Sequence, residues 1–90
     1  MKTMYVKFKE PKVKQVKETI ENGKVVKLFV QLDWYRMGIG NHTIYIKDNM
    51  FVWTDRQSPI PVRKFSSIED LMWEYELPKS LKPKIEKLLK

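Results

Sequence analysis

Ninety residues are enough for one domain and leave little room for a second. With 42% hydrophobic residues and eleven aromatics the chain is too apolar for a disordered tail, and without cysteine it can build neither a disulfide framework nor a thiolate metal site. The formal charge of +7 is unevenly spread: residues 1–47 hold ten basic and four acidic side chains, whereas residues 66–77 hold four acids and no base.

That distribution makes a polarised surface rather than a uniformly basic one. A chain of this size buries only about 60–65% of its unfolded surface, so the core is modest. Small secreted domains usually rely on disulfides, which favours a cytoplasmic address here. Lys7 and Lys9 break any apolar run long enough for a signal peptide, and no stretch approaches a membrane span in length.

Met4, Val6 and Phe8 alternate with Tyr5, Lys7 and Lys9, the pattern of a half-buried strand that Pro11 interrupts. Lys12 to Glu21 has two readings. Val13, Val16 and Ile20 fall at helical spacing, but Asn22-Gly23 just before the apolar run Val25–Leu32 is a strong hairpin signal. The hairpin is preferred, because it sets Glu21 opposite Lys24, Ile20 opposite Val25 and Glu18 opposite Lys27. On the returning strand Val26, Leu28, Val30 and Leu32 are expected to face the core, with Val25, Lys27, Phe29 and Gln31 on the other side.

Met37-Gly38-Ile39-Gly40-Asn41 reads as a loop by its glycines. His42–Lys47 is a further strand, with Ile44 and Ile46 on one face and Thr43 and Tyr45 on the other. Asp48-Asn49 is a tight turn, Met50–Thr54 continues the meander, and Asp55–Pro61 is a loop stiffened by two prolines. Val62–Phe65 is a short last strand. Ser66 and Glu69 have capping-box spacing, and Ile68, Leu71, Met72 and Tyr75 follow a helical stripe. Pro78 ends that helix. Ser80 can cap a second, with Pro83 in its first turn and Leu81, Ile85, Leu88 and Leu89 as its apolar face. The expected fold is α+β: an antiparallel sheet of four to six strands followed by two short C-terminal helices, as a single domain over residues 1–90.

Catalytic constellations are scarce. His42 is the one histidine, and neither Asp33, Asp48 nor Asp55 stands at a spacing that suggests a triad or a metal site. His42 is expected at the surface, with no partner to orient it for chemistry. The serines sit in loops or at caps. Gly38-Ile39-Gly40 lacks the remaining residues of a phosphate loop and is better explained by a turn needing positive φ. No cofactor or metal is implied, and the domain is expected to bind rather than to catalyse.

Lys7, Lys9, Lys12, Lys14 and Lys17 crowd into eleven residues beside Tyr5, and Tyr35 and Arg36 add a ring and a cation where the central strand ends. Such a face could follow a nucleic-acid backbone while bases stack on rings. The plain alternative is that these lysines only solubilise exposed strands. Fifteen lysines against three arginines argue for backbone contact over base reading. Trp73 projects about 140° from Ile68 on a helix, outside the apolar stripe. Burial under the last helix is the preferred reading; the alternative is an exposed anchor for a protein partner. The leading expectation is therefore single-stranded or non-specific nucleic-acid binding, with no membrane. The alternative is a small protein-interaction or inhibitor module of the kind mobile elements encode.

Overall fold

The computed structural model describes residues 10–35, 38–55 and 61–89. The expected strand around Tyr5, Lys7 and Lys9, the residue Arg36 and most of the 55–61 loop lie outside them. Five described strands follow one another in space as they do in sequence: β1 (Lys12–Glu21), β2 (Lys24–Asp33), β3 (Ile39–Lys47), β4 (Met50–Asp55) and β5 (Val62–Phe65). All neighbours are antiparallel. The two tight turns explain this meander. Asn22 and Gly23 have φ of 53° and 75°, and Asp48 and Asn49 have 54° and 62°. Positive φ at both central residues matches the right-handed twist of the flanking strands.

Lys12–Glu21 is thus a strand, and Glu21 faces Lys24 as expected. Beyond the turn the register departs from expectation. Ile20 faces Val25 and Thr19 faces Lys27, so Val26 is an extra residue in β2. This bulge reverses the parity on either side of it. Val25, not Val26, packs against the core, while Leu28, Val30 and Leu32 point inward. Glu18 faces Leu28 instead of Lys27, and its carboxylate takes Lys87 at 3.0 Å. A second bulge makes Lys14 the extra residue between Val13 and Gln15. The Gly38–Asn41 segment is less of a loop than its glycines suggest, since β3 begins at Ile39 and only Gly38 has positive φ (89°).

A helical layer closes one side of the sheet. It consists of α1 (Ile68–Tyr75), a 3-10 turn over Lys79–Leu81, α2 (Lys82–Glu86) and a 3-10 turn over Lys87–Leu89. Ile68, Leu71, Leu77, Leu81, Ile85 and Leu88 meet Leu28, Val30, Leu32, Ile44, Phe51, Trp53 and Phe65 in one core. The cap of α1 lies one residue later than expected. Ser67 Oγ accepts the Asp70 amide at 3.1 Å, while Ser66 Oγ donates to the Asp70 carboxylate at 3.3 Å. At the other end Glu76 takes a left-handed φ of 48°, which lets the Leu77 amide reach the Met72 carbonyl at 3.0 Å. Ser80 lies inside the 3-10 turn and caps nothing, whereas Pro83 does occupy the first turn of α2. No described helix is long and apolar enough to cross a membrane.

The cap assignment has a direct consequence. Ser67→Ala should destabilise the protein by about 1 kcal/mol in urea unfolding, and Ser66→Ala by clearly less. Equal losses at the two positions would contradict it.

Candidate functional site

The strands alternate, so the face that turns away from the helices follows from the register. It carries Lys12, Gln15, Lys17 and Thr19 from β1, Lys27, Phe29, Gln31 and Asp33 from β2, and Asn41, Thr43, Tyr45 and Lys47 from β3. Val52, Thr54 and Lys64 complete it. None of the described helices covers this face. Lysines there fall into two sets. Lys12 and Lys24 stand opposite Asp33 and Glu21, whereas Lys17, Lys27, Lys47 and Lys64 have the neutral cross-strand partners Phe29, Thr19, Met50 and Val52. All four are exposed.

Between them lie two half-buried rings. Phe29 is opposite Thr43, and Tyr45 is two residues further along β3 on the same face, the diagonal relation that spaces side chains about 7–8 Å apart. The Lys27 ammonium stands 5.9 Å from the centre of the Tyr45 ring. Val52, opposite Tyr45 on β4, is only 1% exposed, so the face is enclosed there and its accessible part lies mainly on β1 to β3. Gln31 donates to Asn41 at 3.0 Å, and Thr43 and Thr54 are linked through the Thr54 hydroxyl. The surface is therefore a cationic margin around a ring-bearing centre with neutral polar groups beside it.

Of the residues singled out in sequence, Lys12 and Lys17 belong to this face. Lys14 is exposed on the β1 bulge. Tyr35 sits past the end of β2 at a φ of 59°, half exposed, its amide donating to Asp33 Oδ1 at 2.8 Å. Tyr5, Lys7, Lys9 and Arg36 fall outside the described residues. Phe29, Tyr45, Lys27, Lys47 and Lys64 were not singled out, although strict alternation along each strand was the signal that would have found them. Trp73 is the opposite of the preferred expectation. It is 81% exposed, because the segment after Pro78 docks α2 on the sheet rather than over that side of α1.

The acids show no gathering on this surface. Asp33 and Asp55 lie on opposite faces and Asp48 is in the β3–β4 turn at the other end. Among the described residues there is no cluster of three groups that could hold a metal ion.

His42 corrects the sequence reading most sharply. It is 2% exposed, on the helix-facing side of β3. Trp34 Nε1 donates to its Nε2 at 3.1 Å, and the ring stacks on Trp53 at 4.4 Å. Nδ1 is enclosed near the Thr54 backbone without a well-aligned hydrogen bond. Gly40 makes this possible: a Cβ there would stand 2.5 Å from His42 Nε2 and 2.9 Å from Trp34 Nε1. Burial pushes the imidazole pKa below its ordinary 6.5, outweighing the Asp55 carboxylate and the Thr54 backbone, which push it up. The ring is thus a neutral acceptor that anchors an indole, closed to solvent.

No protein-family model matches this chain, nor does any curated protein or solved structure. The site stands on its own geometry.

Two outcomes follow from the buried imidazole. An NMR titration of this single histidine should give a midpoint below 6.5. Because the unfolded chain then binds the proton first, stability should be full above about pH 6.5 and fall as pH drops toward the folded value, by at most about 1.4 kcal/mol per pH unit. A midpoint at or above 6.5 would contradict the burial argument. Gly40→Ala should destabilise by about 1–3 kcal/mol, the usual cost of overpacking, and part of that loss should disappear when His42 is also changed to Ala, the crowding of Trp34 remaining. Full additivity of the two changes would mean that Gly40 matters for another reason.

Proposed function

We propose that this domain is a non-catalytic binder of single-stranded nucleic acid, and that the ligand lies on the sheet face left open by the helices. The observation that carries the reading is the set Lys17, Lys27, Lys47 and Lys64, with neutral cross-strand partners, around the Phe29 and Tyr45 rings. Lysines without an acid to neutralise them raise the local potential, and phosphates that displace counterions there gain affinity. Half-buried rings already fixed by the sheet stack on bases with little further loss of freedom. Among the described residues this face carries lysine and no arginine, so it supplies point charges rather than bidentate forks. Low sequence preference follows. The acids of residues 66–77 sit in the helical layer, away from the ligand. A cytoplasmic address fits such a cysteine-free binder.

Fluorescence anisotropy with labelled single-stranded homopolymers tests this. Affinity should fall with salt at about −0.7 log units per log unit for each phosphate neutralised. Changing Lys17, Lys27, Lys47 and Lys64 together to Gln should flatten the slope by about 2–3. The same change at Lys12 and Lys14 should matter less. Phe29→Leu and Tyr45→Leu keep an apolar side chain but remove the ring, and each should weaken binding about tenfold, toward the low end of a lost stack. Absence of binding at low salt, or equal affinity for duplex and single strands, would overturn the reading.

A further inference from the structure

The turn between β2 and β3 holds a strained aromatic residue that the sheet-face reading does not use. Five described non-glycine residues have positive φ. Asn22, Asp48 and Asn49 belong to the two tight hairpin turns, where such residues tolerate it, and Glu76 closes α1. Tyr35, at 59°, is the fifth and the one with a ring. A side chain of that bulk resists the left-handed region, where its Cβ crowds the backbone.

The surroundings enforce this conformation. Asp33 Oδ1 accepts the Tyr35 amide at 2.8 Å, the Trp34 amide donates to the Gly38 carbonyl at 2.8 Å, and the Gly38 amide donates to the Tyr35 carbonyl at 3.0 Å. Trp34 is fixed in turn by His42 Nε2 and by the edge of the Tyr75 ring, in the space that Gly40 leaves open. The two rings of the turn are thus separated. Trp34 is held on the helical side, while Tyr35 is 50% exposed and its backbone is tied to a carboxylate of the open face. Strained conformations persist only where the structure over-determines them, and they gather at ligand-contacting sites. A turn that had only to connect β2 with β3 would be better served by Asn or Gly here, the residues the Asn22-Gly23 turn uses.

We propose that Tyr35 is a further stacking platform for single-stranded nucleic acid, continuing the Phe29 and Tyr45 surface past the end of β2. This role rests on the sheet-face reading above, to which it adds a residue. From Phe29 the open face runs through Gln31 and Asp33 toward Tyr35, at most roughly 20 Å of chain, so one bound strand can reach all three rings. The Asp33 carboxylate stands opposite Lys12, which offsets its charge beside a phosphate. A ring whose backbone is already fixed loses little further freedom when a base stacks on it.

Fluorescence anisotropy of the full chain with labelled oligothymidylate of about 12 nucleotides, within the usual site sizes of single-strand binders, tests this beside thermal unfolding. Tyr35→Phe keeps the ring and should bind within about twofold of wild type. Tyr35→Asn removes the ring and relieves the backbone, so it should weaken binding about tenfold while the unfolding midpoint stays level or rises. A ring that merely props the turn would instead lower both together. A lowered midpoint with Tyr35→Asn, or binding equal to wild type, overturns the proposal. Failure of the sheet-face reading looks different and takes the Tyr35 role with it: wild type does not bind the oligonucleotide, or binds as well after Lys17, Lys27, Lys47 and Lys64 are changed to Gln. Salt-dependent binding that needs those lysines but ignores Tyr35→Asn removes Tyr35 from the site and leaves the sheet face standing.

Discussion

A ladder of rings ties the sheet to its first helix. His42 stacks on Trp53 at 4.4 Å and Trp53 on Tyr75 at 4.2 Å, with interplanar angles of 24° and 16°. Trp34 meets both His42 and Tyr75 edge-on, and Phe65 meets Tyr75 edge-on at 5.8 Å. Aromatic pairs contribute about 0.5–1.5 kcal/mol each beyond the area they bury, which matters in a core this small. The arrangement is not free of cost. Trp53 Nε1 and His42 Nδ1 are buried without partners, and each such group costs about 1–3 kcal/mol. The His42–Trp34 contact needs Gly40 to stay small, and the buried imidazole, its pKa lowered by desolvation, favours the neutral form that accepts the indole N–H.

Because the ladder draws α1 onto the His42–Trp53 side, the other side of the sheet is left without a described helix. Antiparallel sheets tolerate such a division, with one face packed and one toward water. Charge follows this division only in part, since Lys79, Lys82, Lys84 and Lys87 share the helical layer with the acids. The acids of residues 66–77 ride on the helical layer, where Glu74 takes Arg63 at 2.8 Å and Glu69 takes Lys82. The lysines of β2, β3 and β5 alternate outward beside Phe29 and Tyr45. Tertiary packing thus converts a modest sequence bias into two surfaces of different character.

The strands and the α+β class were legible because their signals are local: Asn22-Gly23 and Asp48-Asn49 demand positive φ, and period-two alternation does the rest. What failed depends on contacts between segments. The bulge at Val26 answers to a partner strand, so the parity of Val25 and Val26 could not be read along β2 alone. Ser66 and Ser67 are both good caps, and only the docking of Ile68 into the core decides between them. His42 looked unpartnered because Trp34 reaches it across the turn between β2 and β3, through space that a glycine leaves open. Gly40 reads as a loop residue along the chain for the same reason, since its close approach to His42 and Trp34 exists only in the fold. Trp73 was expected under α2, but the buried Leu81, Ile85 and Leu88 hold that helix on the sheet. The lysine cluster was sought where lysines are densest in sequence. The surface groups them instead across strands, where neighbours in space are far apart in the chain.

That cross-strand grouping has a geometric consequence for the proposed complex. Lys17, Lys27, Lys47 and Lys64 come from β1, β2, β3 and β5, while β4 contributes neutral Val52 and Thr54. Strands about 4.8 Å apart make the sheet roughly 19 Å wide from β1 to β5. A nucleic-acid backbone crossing the strands at right angles meets two of these charges, Lys27 and Lys64 at the level of Tyr45, whereas an oblique path from Lys17 over Lys27 to Lys47 meets three. Phe29 on β2 and Tyr45 on β3 lie across the same path, so a crossing strand can place successive bases on both. Lysine stems are long and flexible enough to follow phosphates as the backbone shifts, and none of them fixes a base edge. Rings set by the sheet and cations free to adapt together favour a ligand recognised by its single-strandedness and charge rather than by its sequence.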